Sequence, residues 1–305
     1  MTTPVTQVEG ISFTVAPPTY RLPAELTLGH VRLQIGNLQR SVEYYERVIG
    51  LRVLSHGPSS SVLGPRGDET PIVELREQPG ATPVPRRGRL GLYHFAILLP
   101  DRASLGRFVA HLSSIGEYAG MSDHLVSEAI YLTDPDGLGI EVYADRPRSA
   151  WRIDGGTLAM ATAPLDARDL VRAAGSEPWA GAPNGTRIGH VHFHVSDLAR
   201  AEAFYHAGLG FDKVVLQYPG ALFLSAGGYH HHVGTNTWAA GAAPATDADA
   251  RLLEWTVQLP AGKDVGAAAR SLSAAGFDLT RDGDDVVSTD PWGTRVRITD
   301  GHRHL

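Results

Sequence analysis

Three residues of this 305-residue chain have the types and settings needed to hold a divalent metal ion: His30 in TLGHVRLQI, His94 in GLYHFAILL and Glu141 in GIEVY. Two imidazoles and one carboxylate on a common face form an open site that leaves positions for substrate and O2. That is the ligand set of non-haem Fe(II), with Mn(II), Zn(II) or Ni(II) as alternatives. A single histidine on an apolar strand is ordinarily a core residue bonded to a backbone carbonyl. Two at equivalent repeat positions, with a glutamate inside a third apolar strand, point instead to a cation that compensates the acid. Side chains two positions apart on a strand share a face. Arg32 and Gln34 beside His30, and Tyr143 beside Glu141, are therefore expected to line the pocket.

These residues sit in a duplicated chain. At a constant offset of 160, Gly29/Gly189, His30/His190, Val31/Val191, Leu38/Leu198, Arg40/Arg200, Tyr45/Tyr205 and Gly50/Gly210 are identical, and DPDG at Asp134 returns as DPWG at Asp290. Each half divides again. After the first strand, Leu38, Val42, Tyr45 and Ile49 recur with the period of an amphipathic helix, and short β-rich runs follow at Arg52–Ser55, Ser61–Gly64 and Ile72–Leu75. The same βαβββ order returns from Leu90, with a helix from about Ser104 to Ile115. Four units, roughly 27–80, 89–145, 187–240 and 250–300, give an α+β fold in which paired units close two half-open barrels. The expected divisions are an N-terminal extension at 1–26, an N-terminal barrel with the metal site at 27–145, a connector with one short helix at 146–186, and a C-terminal barrel at 187–305. The segment GAAPATDADA at 241–250 is expected to be a loop.

Bulk properties narrow the function classes. A net charge of −6 without a Lys/Arg block argues against nucleic-acid and anionic-membrane partners, because phosphate binding needs clustered cations. No apolar run is long enough to cross a bilayer, and no signal pattern opens the chain, so a cytoplasmic location is expected. With no cysteine, thiolate metal sites and thiol nucleophiles are ruled out. The partner left is a small molecule.

Repeated βαβββ units whose strands open GHVxLxV and close DPDGxxIEVY resemble the vicinal oxygen chelate superfamily, which includes glyoxalase I, fosfomycin and bleomycin resistance proteins, and extradiol ring-cleaving dioxygenases. The resemblance covers about residues 27–300. The stretches DHLVSEAIYLTDPDGLGIEVYADRP and ALFLSAGGYHHHVGTNTW look most like two-barrel catechol 2,3-dioxygenases. It implies a divalent metal inside a cupped barrel, with His30, His94 and Glu141 at the ligand positions. It further implies a catecholic substrate, O2, and a role in the catabolism of aromatic compounds. In extradiol enzymes a Tyr lies ten residues before the ligand Glu, with a His further upstream. Tyr131 and His124 match, with His124 to shuttle protons and Tyr131 to hold a substrate oxygen. The pattern also has an acid/base His between the two ligand histidines, for which His56 is the candidate. Glyoxalase I-like isomerases and thiol or epoxide transferases use a fourth ligand in the last strand of the first unit, which is Glu74 here. Metal-free binding proteins of the superfamily commonly lack the triad. Barrel proteins of this kind often associate, so a homo-oligomer is an expected form.

The rear half departs from the front. His190 is retained, but the position of His94 holds Glu254 and that of Glu141 holds Arg297, which cannot ligate a cation. The C-terminal barrel is therefore expected to be a degenerate copy, with the cluster of His190 and His230–His232 forming a polar network within it.

Overall fold

The structure, a computed structural model, describes residues 13–301. Residues 1–12 of the expected extension and 302–305 of the last unit lie outside the described residues. The first unit contains β1 (Thr27–Ile35), α1 (Leu38–Tyr44), β2 (Arg52–His56), β3 (Ser60–Gly64) and β4 (Val73–Glu77). The second contains β5 (Gly91–Leu98), α2 (Arg102–Ile115), β6 (Gly120–Asp123), β7 (Ser127–Thr133) and β8 (Gly139–Asp145). The connector folds into a hairpin, β9 (Ile153–Asp154) with β10 (Thr157–Leu158), and a short helix α3 (Ala167–Ala173). The third unit has β11 (Arg187–His194), α4 (Leu198–Ala201), β12 (Asp212–Val215), β13 (Ala221–Ser225) and β14 (Val233–Asn236). The fourth has β15 (Arg251–Gln258), α5 (Gly262–Ala274), β16 (Leu279–Asp282), β17 (Asp285–Thr289) and β18 (Arg295–Thr299).

Local signals account for the helices. Asn37 caps α1 by accepting from Arg40 N, and Asp101 caps α2 by accepting from Ser104 N at 2.7 Å. Gly116 ends α2 in the left-handed region, where a side chain would be strained. Among the described residues no helix is long and apolar enough to cross a membrane.

The four units form two eight-stranded curled sheets, an α+β architecture, but the partners differ from those expected. One sheet runs β16-β17-β18-β15-β1-β4-β3-β2 and joins units one and four. The other runs β12-β13-β14-β11-β5-β8-β7-β6 and joins units two and three. Neither half of the chain closes a sheet of its own, since unit one pairs with unit four and unit two with unit three, which corrects the division into a barrel at 27–145 and another at 187–305. The seam of each sheet is an antiparallel pairing of first strands, β1 with β15 and β5 with β11. The linkers explain how the chain achieves this. Segments 78–90 and 237–250 both carry the backbone from one sheet to the other and lie side by side, with bridges Thr82–Asp249 and Leu90–Pro244. An ion pair of 2.8 Å from Arg89 to Asp249 ties them together.

Strand alternation separates core from cavity. Phe95, Ile97, Val191 and Phe193 face the main core, where each fully buried side chain contributes roughly 2–3 kcal/mol. Ala96, Leu98, Ala129 and Tyr143, on the other face, form a separate small cluster. The connector packs against the second unit: a Cβ at Gly106 of α2 would overlap the Leu170 carbonyl of α3, so glycine permits the close approach.

Candidate metal centre and cavity

The seam between units two and three builds the site by register. Across β11, β5 and β8, His190 pairs with Ala96, and Ala96 pairs with Glu141. His94 lies two residues before Ala96 on β5 and shares its face. Hence His94, Glu141 and His190 converge around a methyl-sized gap, their ligand atoms all within 4.8 Å of one another. Glu141 Oε2 lies 3.1 Å from His94 Nε2 and 3.2 Å from His190 Nε2. All three residues are buried, at 4%, 3% and 1% exposure.

The environment suits a cation. Glu141 has no lysine or arginine among its ion-pair partners, and an uncompensated buried carboxylate costs several kcal/mol. His94 Nε2, although close to the carboxylate, is a buried atom without a hydrogen bond, as is His190 Nδ1. Burial, reinforced by the neighbouring imidazoles, pushes His190 down to about 4 and holds His192 and His231 well below the usual histidine range. Neutral imidazoles beside an acid are the form that ligates a metal. The donor set and the orphaned nitrogen fit a divalent ion held by His94, Glu141 and His190, with positions left open.

A cavity of about 300 Å³ adjoins this cluster. Its walls include Tyr93, Tyr131, Phe223 and Trp238, and it opens onto a larger groove that shares Tyr93, His94, Tyr131 and Trp238. Tyr131 stands beside Glu141 because it pairs with it across the β7–β8 hairpin, which explains the ten-residue spacing. His124 follows β6, next to Leu125, whose positive φ of 69° is a strained conformation for a leucine. His124 Nδ1 is 2.7 Å from the Ala161 carbonyl, which can only accept, so Nδ1 carries the proton. The neutral ring then accepts the Tyr131 hydroxyl at Nε2, over 2.6 Å. Burial, then the Glu141 charge, pushes the Tyr131 phenol well above its usual value, so it stays protonated.

Other expected site residues lie elsewhere. His30 is on β1 in the opposite sheet, 3.4 Å from Glu74, and does not join His94 and Glu141. Glu74 binds Arg32 Nε at 2.8 Å and is not beside the cluster. Arg32 also reaches Glu254 at 3.1 Å, and Gln34 donates to the carbonyls of Asp247 and Asp249 in a linker. Tyr143 is fully buried behind His190 and bonds Tyr229 at 2.7 Å, away from the cavity wall. His56 is exposed on β2. Tyr143 is on the same sheet as Glu141 but turned behind His190, whereas His30, Arg32, Gln34, His56 and Glu74 share one physical cause: unit one pairs with unit four and not with unit two, so its strands belong to the other sheet. For the same reason Arg297 does not sit with His190; it binds Glu254 in the other sheet at 2.7 Å.

Two residues expected in a polar network of the rear barrel are brought to the site instead. His190, read as part of that network, supplies the second imidazole of the cluster, from the neighbouring strand β11. His231 lines the cavity with its ring centroid 4.1 Å from that of His190. The histidine-rich GYHHHVG was the available signal, but only strand pairing places it opposite unit two.

Comparison with known proteins agrees with this architecture. The chain is 45% identical over 268 residues to a protein of Bacillus subtilis (strain 168) named Catechol-2,3-dioxygenase, covering 87% of this chain and 93% of that protein. A solved candidate dioxygenase from Bacillus subtilis subsp. subtilis str. 168 superposes with a TM-score of 0.63 at 14% identity, over 92% of this chain and 87% of that one. Glyoxalase I from Zea mays superposes with a TM-score of 0.53 at 18% identity, over 90% of this chain and 92% of its own. These two likenesses concern the fold alone. The family model of the Glyoxalase/Bleomycin resistance protein/Dioxygenase superfamily matches residues 27–142 and 187–303, and the chain belongs to that superfamily.

Proposed function

We propose that this protein is an extradiol-type dioxygenase that opens a catecholic ring with O2, using Fe(II) held by His94, Glu141 and His190. The observation that carries the proposal is the meeting of an open three-ligand cluster with the His124–Tyr131 pair at one aromatic-walled cavity. The catechol-2,3-dioxygenase name of the 45% identical relative supports the same reaction class. A four-ligand isomerase site would need Glu74, which is engaged with Arg32 on the other sheet. The convergence of three ligands weighs against a metal-free binding protein.

When bound, Fe(II) would supply the redox chemistry that couples O2 to ring opening. The chain's own residues would do the rest. Tyr93, Phe223 and Trp238 shape a slot in which an apolar ring is desolvated. Tyr131, anchored through His124, faces a substrate oxygen with its phenol. His231 Nε2 has no hydrogen-bond partner among the described residues and serves as acceptor for a catechol proton. The proposed setting is the cytoplasm, in the breakdown of aromatic compounds.

Protein purified anaerobically and loaded with Fe(II) is expected to turn catechols yellow in step with O2 uptake. Colourless mixtures together with turnover of the methylglyoxal–glutathione adduct would overturn the proposal.

A further inference from the structure

A hydrogen-bonded chain, buried at His230 and half-buried at Tyr229 and Asp145, leads away from the cavity behind His231. Asp145 ends β8, and its carboxylate accepts the Tyr229 hydroxyl at 3.0 and 3.1 Å and His230 Nε2 at 2.9 Å. Tyr143, 2.7 Å from Tyr229, must donate to it, since the Tyr229 proton is committed to Asp145. His230 is fully buried, and its Nδ1 lies 2.8 Å from His231 Nδ1.

Donor counting along this chain permits one arrangement for neutral rings. A carboxylate only accepts, so His230 Nε2 carries the proton. His230 Nδ1 is then a lone pair, and the contact to His231 requires that His231 Nδ1 carry the next proton. His231 Nε2 is left unprotonated, as an acceptor in the cavity. With the opposite tautomer, His231 Nδ1 and His230 Nδ1 would face each other as two lone pairs at 2.8 Å.

We propose that Asp145 and His230 are positioning residues that lock His231 in its Nδ1–H tautomer and so present its Nε2 lone pair to the substrate. They touch neither the substrate nor the metal ligands' donor atoms; they act through His231, as the third member of a nucleophile–base–orienter array acts through the base. The proposal rests on His231 being the acceptor of the proposed reaction.

The tautomer can be read directly. In long-range proton–nitrogen NMR spectra of 15N-histidine-labelled full-length protein loaded with diamagnetic Zn(II), His231 should show a protonated Nδ1 and an unprotonated Nε2, and His230 the reverse. Asp145→Ala should add or shift to a His231 species with protonated Nε2. In the Fe(II) enzyme the same variant should lower kcat about tenfold or more, the usual scale of misplaced acid–base groups, with KM within about twofold. A protonated His231 Nε2 in the unaltered protein, or unchanged His231 shifts in Asp145→Ala, would overturn the proposal. The unaltered protein's spectrum decides even if the variant does not fold. Because the spectrum reports the tautomer whether or not a catechol is turned over, this proposal and the assigned activity can fail separately.

Discussion

The two sheets place opposite solutions at one lattice position. On β5, Ala96 stands between His190 and Glu141; on β1, the equivalent residue is Arg32, which stands between Glu254 and Glu74. Alanine leaves a gap around an acid that has only imidazoles for neighbours. Arginine fills the gap with a guanidinium that bonds both acids, and Arg76, Arg295 and Arg297 complete the charge balance. In the β1 site a covalently attached cation stands where a metal ion would otherwise balance the acids. The other retains a buried acid whose compensation must come from outside.

The comparison breaks most sharply at the metal. His190→Ala should lower metal affinity at least about 100-fold, the scale on which even an outer partner of a ligand matters, whereas His30→Ala should leave metal content unchanged by elemental analysis. Ala96→Arg, which writes the Arg32 solution into the other sheet, should abolish metal binding to the same degree while the protein still melts cooperatively. Equal metal loss from His30→Ala and His190→Ala would contradict the assignment of the site to units two and three.

Stability should respond in the opposite place. Arg32→Ala removes charged hydrogen bonds from two buried acids and should cost about 2–3 kcal/mol by denaturant unfolding, with metal content unaltered. The repeated glycines before the two histidines offer a milder contrast. A Cβ at Gly189 would overlap the Tyr143 hydroxyl, whereas at Gly29 it would meet the Thr256 side chain at 3.0 Å. Gly189→Ala should cost about 3 kcal/mol and Gly29→Ala about 1 kcal/mol.

The finest contrast is in pH. Burial works to raise Glu74, but hydrogen bonds from His30 and Arg32 and the charges of Arg32 and Arg76 prevail and hold it at about 2 rather than 4.5. Its stabilising contribution is complete above pH 4.5 and lost as the pH falls toward 2. Asp134, in the DPDG turn of the other sheet, is pushed by burial from 3.8 to about 7. Its contribution is complete below pH 3.8 and lost as the pH rises through about 7. Unfolding midpoints measured across pH should therefore lose their acid-side slope in Glu74→Gln and their neutral-side slope in Asp134→Asn.

Much of this was legible in the residues. The αβ periodicities located α2 at Arg102–Ile115, where the pattern began at Ser104, and the last three strands of unit one to within two residues. Tyr131 and Glu141 come together because a hairpin register is local, fixed by the DPDG turn between them. His30 and His190 defeated the same logic. They are identical in type, neighbours and strand position, and nothing within either segment states which foreign strand will lie alongside. His231 was hidden by the same ignorance, since its place depends on unit three facing unit two.

Local chemistry alone determined the repeated units and their helices and turns, because period and capping act over a few residues. Which units share a sheet was decided only in three dimensions, where two parallel linkers and an antiparallel seam of first strands set the partners. The same choice of partners put His190, not His30, beside Glu141, since side-chain distance across a seam depends on pairing and not on spacing along the chain.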